Sequence, residues 1–218
     1  MIVLAIDTAG TGCFACVYDS DADAVLGEAG ADIGRGHAER LMEFVDQALA
    51  EAGKALPDIE RLAVTIGPGS FTGIRVGVAA VRGFALALGI PSVGVSTLEV
   101  LAEDHLARQP GRPVLVAMDA KRGEVYCQTF SAGGTAAGEP EVLALQDAVA
   151  RFSDYDGMIV GSAATLLRGE AEAAADRFPA STVARLAATA EPNGRKPKPL
   201  YLRGPDAKPQ AGFSIARA

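Results

Sequence analysis

Residues 67–75 read Gly-Pro-Gly-Ser-Phe-Thr-Gly-Ile-Arg, behind the apolar run Leu62–Ile66. Strand, glycine turn and helix N-terminus in that order present unpaired backbone N–H groups, the usual cradle for a phosphate. A Walker-type loop adds a Lys followed by Ser or Thr after its last glycine, whereas Gly73 is followed by Ile74 and Arg75. The same residues also read as a helix start capped by Ser70 or Thr72, with glycines for positive φ and close packing. Asp7 and Asp119 each end an apolar run and precede a turn, Thr8-Ala-Gly10 and Ala120-Lys-Arg-Gly123. A carboxylate so placed can cap the N–H groups of the next turn. The two histidines, His37 and His105, are far apart in sequence, and a metal needs three or four convergent ligands. Cys13 and Cys16 form a C-x-x-C inside an apparent strand, where their side chains face opposite ways, a weak metal or redox signal. No Ser or Cys nucleophile announces a partner base, so no catalytic residue is assigned.

The elements that must position these residues are legible in outline. Ile2–Ile6 and Phe14–Tyr18 flank a glycine-bearing turn and suit an antiparallel hairpin, with Val25–Ile33 a weaker third strand. From Ala38 to Ala52, Leu41, Phe44, Val45, Ala48 and Leu49 fall at helical spacing, Met42 widens the stripe and Gly53 stops it. A helix is expected over Ile74–Leu88, a short strand over Pro91–Val95, and a third helix over Thr97–Ala107 behind the capping-box spacing of Ser96 and Glu99. Gln109-Pro-Gly-Arg-Pro113 reads as a linker. Beyond it the opening is echoed: Val-Leu-Val-Ala-Met-Asp119, a turn, then Val-Tyr-Cys-Gln-Thr-Phe130. That half-chain repeat implies two related lobes. Helices around Leu145–Phe152 and across Ala164–Ala175, and a strand at Met158–Val160, complete an eroded second lobe. Regular patterning ends in the proline-rich stretch from Pro192 to Pro209. The expected units are 1–108, 109–190, and a basic, Pro-rich tail 191–218 packed on the body or partly disordered.

Charge and composition narrow the function classes. Of a net charge of −7, residues 191–218 contribute +4, leaving 1–190 strongly acidic. Such a body is a poor primary surface for a nucleic-acid backbone. No uninterrupted apolar run approaches the ~20 residues of a membrane span, and the N-terminus reads as a buried strand, not a signal peptide. Three cysteines, an odd number without an export signal, point to a reducing cytoplasm.

The combination of Asp7-Thr-Ala, Gly-Pro-Gly-Ser-Phe-Thr-Gly-Ile-Arg-Val-Gly77, Asp119-Ala-Lys-Arg-Gly-Glu-Val-Tyr126 and Pro199-Leu-Tyr-Leu-Arg203 closely resembles the TsaB (YeaZ) family, from residue 1 to about residue 206. The resemblance implies an α/β fold of two ribonuclease-H-like lobes of the actin-like ATPase superfamily, mixed sheets flanked by helices, the second lobe reduced. It implies a non-catalytic subunit that binds and stabilises the larger paralogue TsaD, which transfers a threonylcarbamoyl group to tRNA adenosine beside the anticodon. TsaE, an ATPase, joins that pair, and tRNA is met at most indirectly. The metal-binding paralogue carries His-x-x-x-His; here His37 is followed by Leu41 at the second ligand position, so no metal is expected. Asp7, Thr8, Gly67, Gly69, Ser70, Gly73 and Asp119 read as a vestigial phosphate loop. No cofactor is expected of this chain alone, although a nucleotide could lodge at the subunit boundary. The alternative is a small actin-like ATPase or phosphotransferase using the Asp7 and Asp119 turns.

Two helices carry the partner expectation. Ile74–Leu88 is apolar nearly all round, broken mainly by Arg75 and Arg82, and so must be covered on more than one side. In the family the corresponding two helices pack against the partner's pair as a four-helix bundle. The candidate partner residues are His37, Leu41, Met42, Phe44, Val45, Arg75, Val78, Arg82 and Phe84. Without the paralogue the same surface should pair two copies. A charge at Val45 or Phe84 is expected to break partner binding with the fold intact.

Overall fold

The structure, a computed structural model, describes residues 1–169, 175–191 and 194–203. β1 (Ile2–Asp7), β2 (Gly12–Asp19) and β3 (Ala24–Asp32) form a meander, followed by α1 (His37–Glu51) and a 3-10 turn at Leu56–Asp58. Next come β4 (Arg61–Gly67), α2 (Phe71–Leu88), β5 (Ser92–Ser96) and α3 (Thr97–Arg108). The second half holds β6 (Val114–Lys121), β7 (Glu124–Phe130), β8 (Glu141–Ala144), α4 (Leu145–Phe152), β9 (Met158–Val160), α5 (Ala164–Leu167) and α6 (Ala180–Thr189).

Both sheets are mixed, ordered β3-β2-β1-β4-β5 and β8-β7-β6-β9. β1 pairs antiparallel with β2 and parallel with β4. β6 pairs antiparallel with β7 and parallel with β9. The second sheet therefore repeats the first four strands of the first and lacks a fifth, as the half-chain echo and its erosion predict. Val3–Asp7 of β1 are all buried, because helices cover both faces of that sheet: α1 and α2 touch each other on one, α3 and α6 on the other. Double cover is why this strand reads as an unbroken apolar run and not as an alternation. One apolar cluster runs from Leu4, Leu62 and Val81 through Leu98 to Val114, Val116 and Phe130 of the second half.

Several elements depart from expectation. α2 begins at Phe71, three residues early, because the Gly73 N–H bonds the Ser70 hydroxyl as an N-cap and glycine is admitted inside the first turn. α5 ends at Leu167, not Ala175; residues 170–174 of the expected helix lie outside the described residues. β8 and α6 were not expected. Residues 180–189, assigned by sequence to the second unit, form α6 on the first sheet against β1, β2 and β4. Arg61 holds it there, its Nη1 donating to the carbonyls of Ala187, Ala188 and Ala190 at 2.7–3.0 Å. Residues 194–203 have no regular secondary structure but are tied down: the Leu200 N–H donates to Ile66 O at 2.8 Å, and Arg203 reaches Glu124 at 2.8 Å.

Candidate functional site

The glycine segment is closed. β1 delivers Thr8 and Ala9 directly against the start of α2. A Cβ at Gly73 would sit 2.0 Å from the Thr8 carbonyl oxygen, and one at Gly69 2.4 Å from that of Ala9. The Ser70 N–H donates to Ala9 O at 2.6 Å, and the Thr8 hydroxyl donates to Gly73 O at 2.8 Å. Thr8 is wholly buried. The Ser70 and Gly73 N–H groups and the Thr8 hydroxyl are thus spent within the chain, and the glycines serve the close approach of two backbones. Gly67 ends β4 with φ +102°, joined to Pro68 by a cis peptide bond.

Asp7 lies beneath this junction, 2% exposed. Its Oδ1 accepts from the Thr65 hydroxyl at 2.7 Å and the Ala9 N–H at 3.0 Å. Burial pushes its pKa up to about 6, against the lowering effect of those bonds. Asp7 helps line a cavity of about 160 Å³ with Asp32, Asp176, Arg177 and Phe178. Phe178 rests against Gly10 of the β1–β2 turn, 3.4 Å from where a Cβ would be. Arg177 is paired with Asp32 at 3.0 Å. Four carboxylates and one arginine, already paired, line it among mostly apolar neighbours, so the charged groups there repel a polyphosphate.

Asp119 takes no part in that cavity. Its Oδ1 accepts from the Lys121 N–H and its Oδ2 meets the Lys121 ammonium, both at 2.7 Å. Burial would raise its pKa, but these Lys121 bonds hold it below the ordinary carboxylate value. Its N–H donates to the Ser162 hydroxyl at 2.8 Å, and the Ser162 N–H donates to Asp176 at 2.7 Å. Burial raises Asp176, with the Ser162 bonds opposing. Ser162 and Asp176 therefore tie Asp119 of β6 to the segment before α6 through structural hydrogen bonds.

Among the described residues, no three His, Cys, Asp or Glu side chains gather as metal ligands would. His37 opens α1 with its Nε2 3.1 Å from Gly12 O, and His105 lies on α3. Cys13, Cys16 and Cys127 are buried free thiols, pushed up by burial to about 11, 12 and 12.

The partner residues divide by burial. Leu41, Phe44, Val45 and Val78 are at most 4% exposed, packed against their own sheet, and His37 is buried against the β1–β2 turn. They are core, a correction to their expected place in a partner face. A charge at Val45 would unfold the chain before it tested any interface. Phe84 is half-buried on the same core. Met42, Arg75 and Arg82 are exposed.

The open surface is elsewhere on α2. Only Gly73, Ile74, Gly77, Val78 and Val81 of its eighteen residues are buried. Each large apolar side chain so docked contributes about 1.5–3 kcal/mol, enough to seat the helix and no reason for the rest to be apolar. Its mean hydropathy of 1.5 and its length reach what a membrane crossing needs, yet it lies along β4 and β1. Its outer ridge runs Arg75, Ala79, Arg82, Leu86, with Leu86 79% exposed. Gly83 and Ala87 are exposed as well, and a Cβ at Gly83 would meet nothing within 4 Å. Sequence reasoning marked Gly83, with Gly77 and Ala80, for close backbone approach, but did not single out Ala79 and Leu86. Their signal was a 3–4 residue spacing opposite the docked stripe, readable only once that stripe is known.

Comparison with known proteins matches residues 31–190 to the family model TsaD, tRNA N6-adenosine threonylcarbamoyltransferase. The Escherichia coli K12 tRNA threonylcarbamoyladenosine biosynthesis protein TsaB is 38% identical over 126 residues, 58% of this chain and 53% of that protein. The match thus spans about half the length of that relative. An uncharacterized protein of Mycobacterium tuberculosis H37Rv is 36% identical over 216 residues, 96% of this chain and 95% of that protein. YeaZ from Pseudomonas aeruginosa superposes with a TM-score of 0.77 at 29% identity, covering 92% of this chain and 99% of that one.

Proposed function

Since the chain belongs to the TsaB (YeaZ) branch of the TsaD family, in the actin-like ATPase superfamily, we propose that it serves tRNA threonylcarbamoyladenosine biosynthesis. In this reading it is a cytoplasmic, non-catalytic subunit that holds and stabilises a TsaD paralogue, with TsaE joining the pair. Two copies of the chain pair through the same face when the paralogue is absent.

The observation that carries this reading is the open face of α1 and α2. Met42 is 43% exposed on α1, and α2, which contacts α1, presents Ala79, Gly83 and Ala87 to solvent. Small residues let a facing helix approach closely, and a large apolar area left in water calls for cover. Asp7, Thr8 and Asp119, which a phosphotransferase would need free, are engaged inside the chain, so the ATPase alternative draws no support.

The test exploits the open space at Gly83. Gly83→Trp and Met42→Glu are expected to keep the melting temperature and lose about tenfold or more in affinity for the purified TsaD paralogue. Val45→Glu is expected to lose the fold itself, seen by circular dichroism. Full partner binding by both folded variants would remove the α1–α2 face from the assembly.

A further inference from the structure

The opposite flank of α2 meets residues 194–203, and the two form a stripe of one sign. Neither segment contains a carboxylate, in a chain of net charge −7. At one end Arg75 lies 3.7 Å over the Phe71 ring, and its Nε donates to the Tyr201 hydroxyl at 2.8 Å. The two rings are 5.4 Å apart and each is about half exposed. At the other end Arg82 and Lys196 line a groove of about 280 Å³ beside the last turn of α2. Lys198, between Lys196 and Tyr201 in sequence, is exposed. Among the described residues, Arg82, Lys196 and Lys198 form no ion pair. The row is held in place, since Pro197 is buried beside Gly94 and the Leu200 N–H bonds Ile66 O.

We propose that this stripe binds RNA, with phosphates on Arg82, Lys196 and Lys198 and an unstacked base against Phe71 and Tyr201. Charge complementarity selects a polyanion. The half-exposed rings select among polyanions: an acidic protein segment would be satisfied by the cations and leave both faces in water. A nucleotide strand uses both, because phosphate and base recur along it and any base can stack on an aromatic face. The proposal rests on the reading of the chain as a subunit in tRNA modification, and replaces the expectation that tRNA is met only indirectly.

The test uses the full chain and a fluorescent, unmodified tRNA transcript, with anisotropy measured from about 50 to 200 mM salt. Wild type is expected to bind more weakly as salt rises. Arg82→Ala with Lys196→Ala should lower the log–log salt slope by about 1 to 2. Tyr201→Ala should weaken binding about tenfold at unchanged slope, and Tyr201→Phe, which keeps the stacking face, should bind like wild type. Melting temperatures report that each variant is folded. No binding at the lowest salt, wild-type affinity in the charge variants, or competition by polyglutamate equal to that of RNA would each overturn the proposal. Reconstituted threonylcarbamoylation separates the two readings. A chain that sustains modification without binding RNA loses only this inference; one that binds RNA and sustains no modification loses the pathway reading.

Discussion

Asp7 shows how burial and hydrogen bonding together set the work of a single carboxylate. It ends β1 under the α2 junction, accepts two hydrogen bonds and is 2% exposed. With its pKa raised from 3.8 to about 6 by burial, the native state binds the proton more tightly than the unfolded chain does. The sign follows: between pH 4 and 6 the unfolded state loses its proton first, so stability falls as pH rises through that window and stays lower above it. The cost at neutral pH is about 3 kcal/mol. Asp7→Asn keeps an acceptor for Thr65 and Ala9 and removes the charge. It is expected to raise the melting temperature at pH 7 and flatten the stability profile between pH 4 and 6, as thermal unfolding at stepped pH would measure. A lower melting temperature at pH 7 would show that the ionised form is needed there.

At the scale of the element, α2 is two helices in one. Its first turn is locked to the β1–β2 turn by backbone contact, and its later turns present small residues to open space. Two alanine substitutions separate these roles. At Gly73 the new methyl would overlap the Thr8 carbonyl, so Gly73→Ala is expected to destabilise the fold by several times the ~1 kcal/mol that alanine brings to a helix. At Gly83 nothing opposes it, and Gly83→Ala should gain up to about 1 kcal/mol. Urea unfolding of both variants checks this, and equal effects would mean that the contact at Gly73 is not tight. The glycine segment was legible as a strand–turn–helix junction from its spacing alone. Whether its N–H groups faced an anion or another backbone was not, because that depends on where Thr8 and Ala9, some sixty residues earlier, arrive.

For the whole molecule, the decisive element is one without a strong sequence signal. α6 is short, begins after Pro179 and reads Ala-Ser-Thr-Val-Ala-Arg-Leu-Ala-Ala-Thr, with apolar side chains too small to mark a stripe. It nonetheless covers the first sheet with Ala180, Val183, Ala184 and Ala187 buried, and the cluster it completes extends into β6 and β7. The boundary near residue 108 therefore cuts through shared packing. A fragment of residues 1–108 would expose the face of β1, β2 and β4 that α6 covers. It is expected to be molten or aggregated, with no cooperative thermal transition, while the full chain unfolds in a single step. A cooperative, monomeric fragment would show that the first sheet needs no cover from α6.

Local chemistry was decided by the sequence. Strand apolarity, helical spacing, the Ser96–Glu99 capping box (both of its hydrogen bonds are formed) and the half-chain echo each depend on neighbours within a few residues or on self-similarity. They sufficed for β1, β2, α1, α3, α4 and the pairing of two related sheets. The tertiary structure alone decided which apolar side chains are spent. Leu41, Phe44, Val45 and Val78 look as available for a partner as Met42 or Leu86 when read along a helix, and burial against the sheet removes the first four while leaving the last two in water. The same holds for the tail: its sequence leaves open whether it packs or is partly disordered, and Pro197 and Leu200 pin the stretch of Lys196 and Lys198 beside α2. Spacing says which residues share a face; only the docking of that face says whether anything remains to bind with.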